Sequence, residues 1–317
     1  MNIIVTGGAG FIGSHLVDEL LKQDNKVIVI DDFSLGKEGN LQHHKNNKNL
    51  IVYKESIYNN LDNIFKKEKP ELVFHVAAIP RVQFSIKYPE KTHNANVNGT
   101  LNLLLACQKF NVRRFIFSSS SSIYGDQPTL PLVETMQPNP MSPYALHKLI
   151  GEYYCKLFNS IHKVETISLR YFNVYGPRQS PEGGYACLIP KFIKLITQNT
   201  QPVINGDGTQ TRDFTHVSDV VKANILASEI KNKECLGQTF NIGNNNNISV
   251  NKVTKEIIRL SGKAIEPIHG PPVIEPKHTL ANNNKAKKLL GWTPDKTFKQ
   301  GLKETFEFFN TRPRPAL

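Results

Sequence analysis

The opening of this chain constrains its fold more than any other stretch. A short apolar run leads into Thr6-Gly7-Gly8-Ala9-Gly10-Phe11-Ile12-Gly13, a helix-like segment follows, and then come Val27-Ile28-Val29-Ile30 and Asp31. Strand, glycine turn, helix, strand and terminal acid, in that order, are what a bound dinucleotide requires. Gly7 permits the tight turn, Gly10 lets the backbone approach a pyrophosphate, and Gly13 lets the helix pack on the strand. The helix N-terminus then aims its free N–H groups at the phosphates. Asp31 is placed to accept hydrogen bonds from the adenosine ribose hydroxyls. A carboxylate there repels a 2′-phosphate, so NAD is expected rather than NADP.

Composition sets the outer bounds. The chain has 317 residues, 39% hydrophobic and 21% charged, which suits a globular protein with an ample core. No apolar run approaches the roughly 18 residues of a membrane span. The N-terminus lacks the basic segment of a signal peptide, so a cytoplasmic protein is expected. The formal charge of +12 is spread along the chain, largely as pairs such as Lys66-Lys67 and Lys287-Lys288. That pattern reads as a solvated surface with some attraction for anionic substrates, not as a nucleic-acid site. Cys107, Cys155, Cys187 and Cys235 form no CxxC pair, so reduced and mostly buried thiols are expected, with no disulfide framework and no metal.

Apolar runs at 3–5, 27–30, 50–53, 72–76, 115–117 and 166–169 read as buried parallel strands, with helical stretches at 11–22, 59–67, 95–108 and 143–159 between them. This alternation predicts an α/β fold, a Rossmann-type doubly wound parallel sheet with helices on both faces. Its strand ends near Ala77, Ala78 and Ser118 should open onto the cofactor cleft. After about residue 172, Pro and Gly become frequent, as in Gly176-Pro177, Gly183-Gly184 and Gly270-Pro271-Pro272. A smaller C-terminal α/β substrate-binding region is expected there. The dinucleotide domain then spans 1–172 with returning segments near 217–245, and the substrate region spans 173–216 and 246–317. No internal repeat or low-complexity linker is present.

A second constellation lies further on: Ser118-Ser-Ser-Ser-Ser122-Ile-Tyr124-Gly125, then Ser142-Pro143-Tyr144-Ala-Leu-His-Lys148. On a helix, Tyr144 and Lys148 are four apart and share a face. A tyrosine normally titrates near pH 10. A neighbouring ammonium and a cationic nicotinamide would favour the phenolate. With a serine hydroxyl from a strand end, the set makes an acid–base centre for alcohol–ketone chemistry beside a hydride acceptor.

Taken together, these motifs resemble the extended short-chain dehydrogenase/reductase superfamily, and within it the nucleotide-sugar 4-epimerases. The resemblance runs nearly end to end. It includes His75-Val-Ala-Ala78, Asn96-Val-Asn-Gly-Thr100, the stretch from Leu169 to Gln179 and the stretch from Gly206 to Val220. It implies NAD as a tightly held cofactor and a UDP-sugar as substrate. The catalytic residues it implies are Ser120, Tyr144 as base, and Lys148 as its partner on the nicotinamide ribose. In the implied reaction the C4 hydride passes to NAD, the flat 4-keto sugar rotates about its diphosphate, and the hydride returns to the other face.

The resemblance also implies the remaining contacts. Around the adenosine and pyrophosphate it places Gly7, Gly10, Phe11, Ile12, Gly13, Asp31, Asp32, Ser34 and Gly36, with Ser56 and Ile57 at the adenine. As further cofactor contacts it implies Ala77, Ala78, Asn96, Ser118 and Tyr171 beside Tyr144 and Lys148. On the substrate side it implies Arg81, in a segment that lines the sugar pocket, with Ser85, Ser120, Ser121, Ser122 and Tyr144. Asn173, Leu188 and Lys191 are implied at the diphosphate, Val203 and Asn205 at the uracil, and Arg212 as a phosphate-binding arginine. Thr279 falls where some 4-epimerases place a bulky tyrosine and others a small residue. A small residue leaves room for a 2-N-acetyl group, so UDP-Glc/UDP-Gal and UDP-GlcNAc/UDP-GalNAc are both expected substrates. The run from Gly176 through Gly184-Tyr185-Ala186 resembles the N-acetyl-tolerant branch.

Related dehydratases carry Asp-Glu directly after the catalytic serine or threonine, and decarboxylases carry a Glu in the second position. Here both positions are serine, Ser121 and Ser122, which favours plain 4-epimerisation. The chain departs from the pattern at Ser56, where an adenine-contacting aspartate is usual, and at Pro272, where a diphosphate arginine is usual. Arg178, Lys191 and Lys277 are the candidates to compensate. A nucleotide-sugar reductase, a uronate epimerase and a non-catalytic RNA- or protein-binding member of the fold remain as alternatives. Family members commonly pair two helices per subunit into a dimer interface. Leu101, Leu104, Leu105, Leu149, Tyr153 and Leu157 fit such a homodimer face, although an intramolecular face has the same periodicity.

Overall fold

A computed structural model describes residues 1–182, 187–273 and 276–311. Seven strands form one parallel sheet: β1 (Asn2–Thr6), β2 (Lys26–Asp31), β3 (Leu50–Lys54), β4 (Leu72–His75), β5 (Arg114–Ser120), β6 (Glu165–Tyr171) and a last strand at Gln238–Ile242. The spatial order runs β3-β2-β1-β4-β5-β6 and then the last strand. β1 therefore sits beside both β2 and β4, and the winding reverses between β1 and β4. The crevice at that switch point, beyond the carboxyl ends of the strands, is where such sheets take ligands. The inner strands are apolar because both of their faces are covered: Ile3, Ile4, Val5, Val27, Ile28 and Val29 are all fully buried.

The first helices are α1 (Phe11–Lys22), α2 (Asp62–Glu68), α3 (Val82–Lys87), α4 (Pro89–His93), α5 (Gly99–Lys109) and α6 (Pro143–Ile161). The helix expected at 59–67 begins at Asp62, because the Asn60 side chain accepts the Asp62 amide at 2.8 Å and ends the preceding turn. The stretch expected as one helix from 95 is divided: a π-turn, Asn94–Asn98, joins α4 to α5. α6 starts where Ser142 accepts the Ala145 amide at 3.2 Å, with Pro143 in the first turn.

The chain then leaves the sheet. β7 (Val174–Tyr175), α7 (Leu188–Thr197), β8 (Val203–Asn205), β9 (Thr211–Asp213) and β10 (Thr215–His216) come before α8 (Val217–Glu229), which returns to the sheet layer. β11 is the edge strand Gln238–Ile242, paired in parallel with β6. β12 (Asn247–Ser249), α9 (Val250–Ser261), β13 (Ile268–Gly270), α10 (Asn284–Leu290) and α11 (Phe298–Thr311) follow. The short strands pair as β7 with β10, β8 with β13 and β9 with β12. A separate apolar core, including Phe192, Ile193, Val253, Ile257, Leu302 and Phe306, knits α7, α9 and α11 together.

Cys107, Cys155 and Cys235 are buried free thiols, while Cys187 is exposed at the start of α7. Among the described residues, no helix is long and apolar enough to cross a membrane.

Candidate active site

One cleft of about 1760 Å³ runs along the switch point. The glycine turn forms its floor. Gly7 has φ +67°, and a Cβ there would lie 2.8 Å from the backbone of Ala77 on the neighbouring loop. A Cβ on Gly13 would sit on the Gly7 carbonyl, 2.8 Å from its carbon and 2.9 Å from Gly8 Cα. α1 is capped by Gly10 in extended geometry with no side-chain cap, so its first amides face the cleft. A turn kept clear of side chains in front of uncapped amides fits a dinucleotide pyrophosphate.

Asp31, at the end of β2, is nearly buried and lines this cleft. One of its oxygens accepts the Ala9 amide at 2.9 Å and the other the Phe33 amide at 2.8 Å. The carboxylate thus braces the glycine turn as well as facing the cleft. Burial raises its pKa above the ordinary carboxylate value, and the two amides oppose that. Asp32, Ser34, Gly36, Ser56 and Ile57 line the same end; Phe11 and Ile12 lie along the turn, and Ala77 and Ala78 across from it.

The catalytic candidates lie where β5 and α6 meet. Ser118, Ser120, Tyr144, Lys148 and Tyr171 all line the cleft. Lys148 Nζ donates to the Ser118 carbonyl at 2.6 Å and lies 6.0 Å from the Tyr144 ring centre. Burial lowers the Lys148 pKa to about 8. Burial raises the Tyr144 pKa to about 12, opposed by the Ser120 hydroxyl beside it. In the protein alone, desolvation therefore outweighs the expected depression, and Tyr144 carries its proton at neutral pH. Ser120 Oγ accepts both the amide (3.2 Å) and the hydroxyl (2.9 Å) of Ser122. With its oxygen engaged in this way, the Ser120 hydroxyl is left to donate toward Tyr144. The Ser118 and Tyr171 hydroxyls lie 3.0 Å apart, and Asn224 Nδ2 donates to the Tyr171 hydroxyl at 2.8 Å.

Arg81, Ser121, Ser122, Asn173, Asn205, Arg212 and Thr279 also line the cleft. Thr279 is half-buried, and its Oγ1 accepts the Asp213 amide at 3.3 Å. Arg212 Nη1 donates to the Thr211 carbonyl at 2.9 Å and the Lys277 carbonyl at 3.2 Å.

Five expected contacts sit elsewhere. Asn96 is almost fully buried; its side chain accepts the Ile79 amide at 2.8 Å and donates to the Ile79 carbonyl at 3.1 Å. It shapes the loop beyond β4 instead of facing the cleft. Ser85 is fully buried, and its hydroxyl oxygen accepts the Tyr144 amide at 3.1 Å, which fixes the start of α6. Leu188, Lys191 and Val203 are not among the lining residues, and Lys191 and Val203 point to solvent. Of the candidates to replace an arginine at Pro272, Arg178 lines the cleft, with its Nη2 2.6 Å from Asp18 Oδ2. The expected Gly184-Tyr185-Ala186 segment lies outside the described residues.

Two supports escaped the sequence reading. His75 bridges Thr6 at 2.9 Å and Thr100 at 2.8 Å, and full burial pushes its pKa well down, so it is neutral. Glu152, one turn beyond Lys148, accepts the Ser119 hydroxyl at 2.5 Å and a two-pronged Arg170 contact at 2.8 and 2.7 Å. The four-residue spacing Tyr144, Lys148, Glu152 was the available signal.

A family model described as the NAD dependent epimerase/dehydratase family matches residues 3–243. The chain belongs to this family. NAD is accordingly its cofactor, and the glycine turn just described fits it. A protein named putative UDP-glucose 4-epimerase from Methanocaldococcus jannaschii is 37% identical over 98% of this chain and 99% of its own length. The structure of UDP-glucose 4-epimerase from Thermotoga maritima with UDP-glucose superimposes with a TM-score of 0.93 at 39% identity, covering 98% of this chain and 99% of that one. UDP-N-acetylglucosamine 4-epimerase from Methanobrevibacter ruminantium, in complex with UDP-N-acetylmuramic acid, gives 0.92 at 38% identity, covering 98% of each chain. Further family members carry the names of a decarboxylase, a UDP-glucuronate 4-epimerase and a 4,6-dehydratase.

Proposed function

We propose that this enzyme inverts C4 of UDP-hexoses, taking UDP-Glc/UDP-Gal and UDP-GlcNAc/UDP-GalNAc. The observation that carries this reading is the convergence of Ser120, Tyr144 and Lys148 on one cleft with the glycine turn, while Ser121 and Ser122 stand where elimination would need carboxylates. Glycine-turn amides and Asp31 hold the dinucleotide, and Ser118 and Tyr171 fix its nicotinamide end. When bound, NAD supplies the hydride acceptor and a positive charge beside Tyr144. Beside that charge and the Lys148 ammonium Tyr144 would ionise, and its phenolate takes the C4 hydroxyl proton and returns it, with Ser120 turning to donate to the same substrate oxygen. Lys148 holds its charge against Tyr144 and binds the ribose. Asn173 and Arg212 hold the diphosphate, Asn205 faces the uracil, and Thr279 leaves space at the sugar 2-position.

Residues 173–216 and 246–317 form the substrate side on this reading, and 1–172 with 217–245 the NAD side. The active form is proposed to be a cytoplasmic homodimer. Leu105, Tyr153 and Leu157 are exposed on α5 and α6, as a shared helical face requires, whereas Leu104 and Leu149 are buried in the chain's own core.

Purified protein incubated with UDP-galactose, UDP-GlcNAc or UDP-glucuronate, with no NAD added, tests the proposal. Conversion of the first two to their C4 epimers is expected. Conversion of UDP-galactose alone would remove the Thr279 argument. Conversion of UDP-glucuronate alone, or of none even with NAD supplied, would overturn the reading.

A further inference from the structure

Outside the cleft, three potential metal donors converge on one point. Asp18 projects from α1, and His43 and His44 from the short turn Gln42–His44. His43 Nε2 lies 2.8 Å and His44 Nε2 lies 2.9 Å from the same oxygen, Asp18 Oδ1. All three donor atoms fall within 4.8 Å of one another. Two imidazoles and a carboxylate are borderline donors suited to late first-row metals.

We propose that Asp18, His43 and His44 form a binding site for a divalent late first-row cation, with zinc the best match. Metal–ligand bonds of about 2.0–2.2 Å in a tetrahedron put donors roughly 3.3–3.5 Å apart. The two nitrogen–oxygen spacings are slightly shorter, so moving each ring nitrogen away from the carboxylate by less than about 1 Å brings them to that range. Each imidazole moves its proton from Nε2 to Nδ1 and offers Nε2 to the metal, and a water takes the fourth position. Access is open, since the His43 side chain is 47% exposed while Asp18 and His44 are 18% and 19% exposed.

The scaffold is firm. Leu41, just before the histidines, is buried, and Asn40 donates to the Ala9 carbonyl at 2.9 Å. The other oxygen of Asp18 is held by Arg178 Nη2 at 2.6 Å, which turns Oδ1 toward the histidines. That same contact places a positive charge beside the metal. Arg178 adopts a left-handed backbone, φ +66°, and its side chain lines the NAD cleft. One carboxylate is thus shared between the cation site and a cleft arginine.

Metal binding reads this site without any activity assay. The full-length protein, stripped with a chelator that is then removed, is titrated with zinc chloride by calorimetry, and with cobalt chloride by visible absorption. One equivalent is expected at this site, with a tetrahedral cobalt band. His43→Ala/His44→Ala should weaken zinc at least about tenfold. His43→Gln/His44→Gln serves as a second, bulkier variant, with folding checked by circular dichroism. Arg178→Gln should tighten zinc several-fold by removing a like charge. No saturable zinc binding, or unchanged affinity in both folded histidine variants, would overturn the site. Unchanged affinity in Arg178→Gln would overturn the shared carboxylate.

Discussion

Glu152 offers a sharp test of how this site is held. Its carboxylate is almost fully buried and accepts three hydrogen bonds, one from Ser119 and two from Arg170. Arg170 is equally buried, and its guanidinium lies 4.7 Å over the Tyr124 ring. Glu152→Leu keeps the volume but leaves the Arg170 charge in an apolar setting. Breaking a buried pair in this way costs about 3–5 kcal/mol, a large share of the roughly 5–15 kcal/mol that holds a typical domain. At about 2 °C per kcal/mol for a large chain, Tm should fall by roughly 6–10 °C. Replacing both partners, Glu152→Leu/Arg170→Met, removes the orphaned charge and should restore much of the Tm. Activity should not return with it. Glu152 shares a face of α6 with Lys148 and Tyr144, and Ser119 lies between Ser118 and Ser120 in β5. Their bond fixes the rotation of α6 against the strand that carries Ser120. Misplacement by about 1 Å can cost on the order of 10²-fold, so kcat of the double variant should stay at least about tenfold down with KM little changed. Glu152 is also one of the groups that raise the Lys148 pKa, so its loss should move a pH-rate limb set by Lys148 to lower pH. Thermal melts and epimerase kinetics on both variants decide the matter. Recovery of Tm and kcat together would refute the positioning role and leave Glu152 purely structural.

Other expectations follow from single contacts. Gly13→Ala should abolish NAD retention and destabilise the fold by about 1–3 kcal/mol, because its Cβ meets backbone that cannot rotate away. Gly39→Ala, with nothing within 4 Å of its Cβ, should be neutral or stabilising by up to about 1 kcal/mol; equal loss in both would contradict the geometry. Tyr144→Phe should lower kcat by about 10²–10⁴-fold with NAD still bound, and near-normal turnover would exclude Tyr144 as the base. For Lys148, the folded pKa of about 8 lies below the ordinary 10.5, so the unfolded chain binds more protons between these values. The penalty of burying its charge is therefore full below pH 8 and fades as pH rises toward 10.5. The stability advantage of Lys148→Met over wild type should shrink across that window, and a constant difference would count against the shift. Leu157→Glu should turn a dimer into a monomer by light scattering, since it charges the exposed face of α6; a wild-type monomer would remove that interface.

The features legible in the sequence are those that backbone geometry and burial impose locally. Glycine spacing from Gly7 to Gly13 marks a turn with no space for Cβ atoms, and the structure shows what fills that space: the Ala77 backbone and the Gly7 carbonyl. Strands buried on both faces leave continuous apolar runs, so most of their bounds emerge to within a residue or two, although β5 runs three residues past its apolar stretch into the serines, and α1 runs over the expected stretch, Phe11–Lys22. Less legible are polar side chains whose partners lie far along the chain. Asn96 and Ser85 look like cleft contacts in the sequence, yet one is spent on the Ile79 backbone and the other on the Tyr144 amide. Asp18 and Arg178 are 160 residues apart, and no local period links them.

The two kinds of residue are coupled physically. A tyrosine and a lysine one helical turn apart define a reactive face only if the helix cannot roll, and a roll is prevented by bonds made off that face. Ser85 holds the α6 backbone at Tyr144, the Lys148 ammonium is tied to the Ser118 carbonyl, and Glu152 ties the next turn to Ser119. Three successive turns of α6 are thus pinned from outside the helix, two of them to β5. The motif specifies which groups react, and partners absent from the motif hold them within reach of one substrate oxygen.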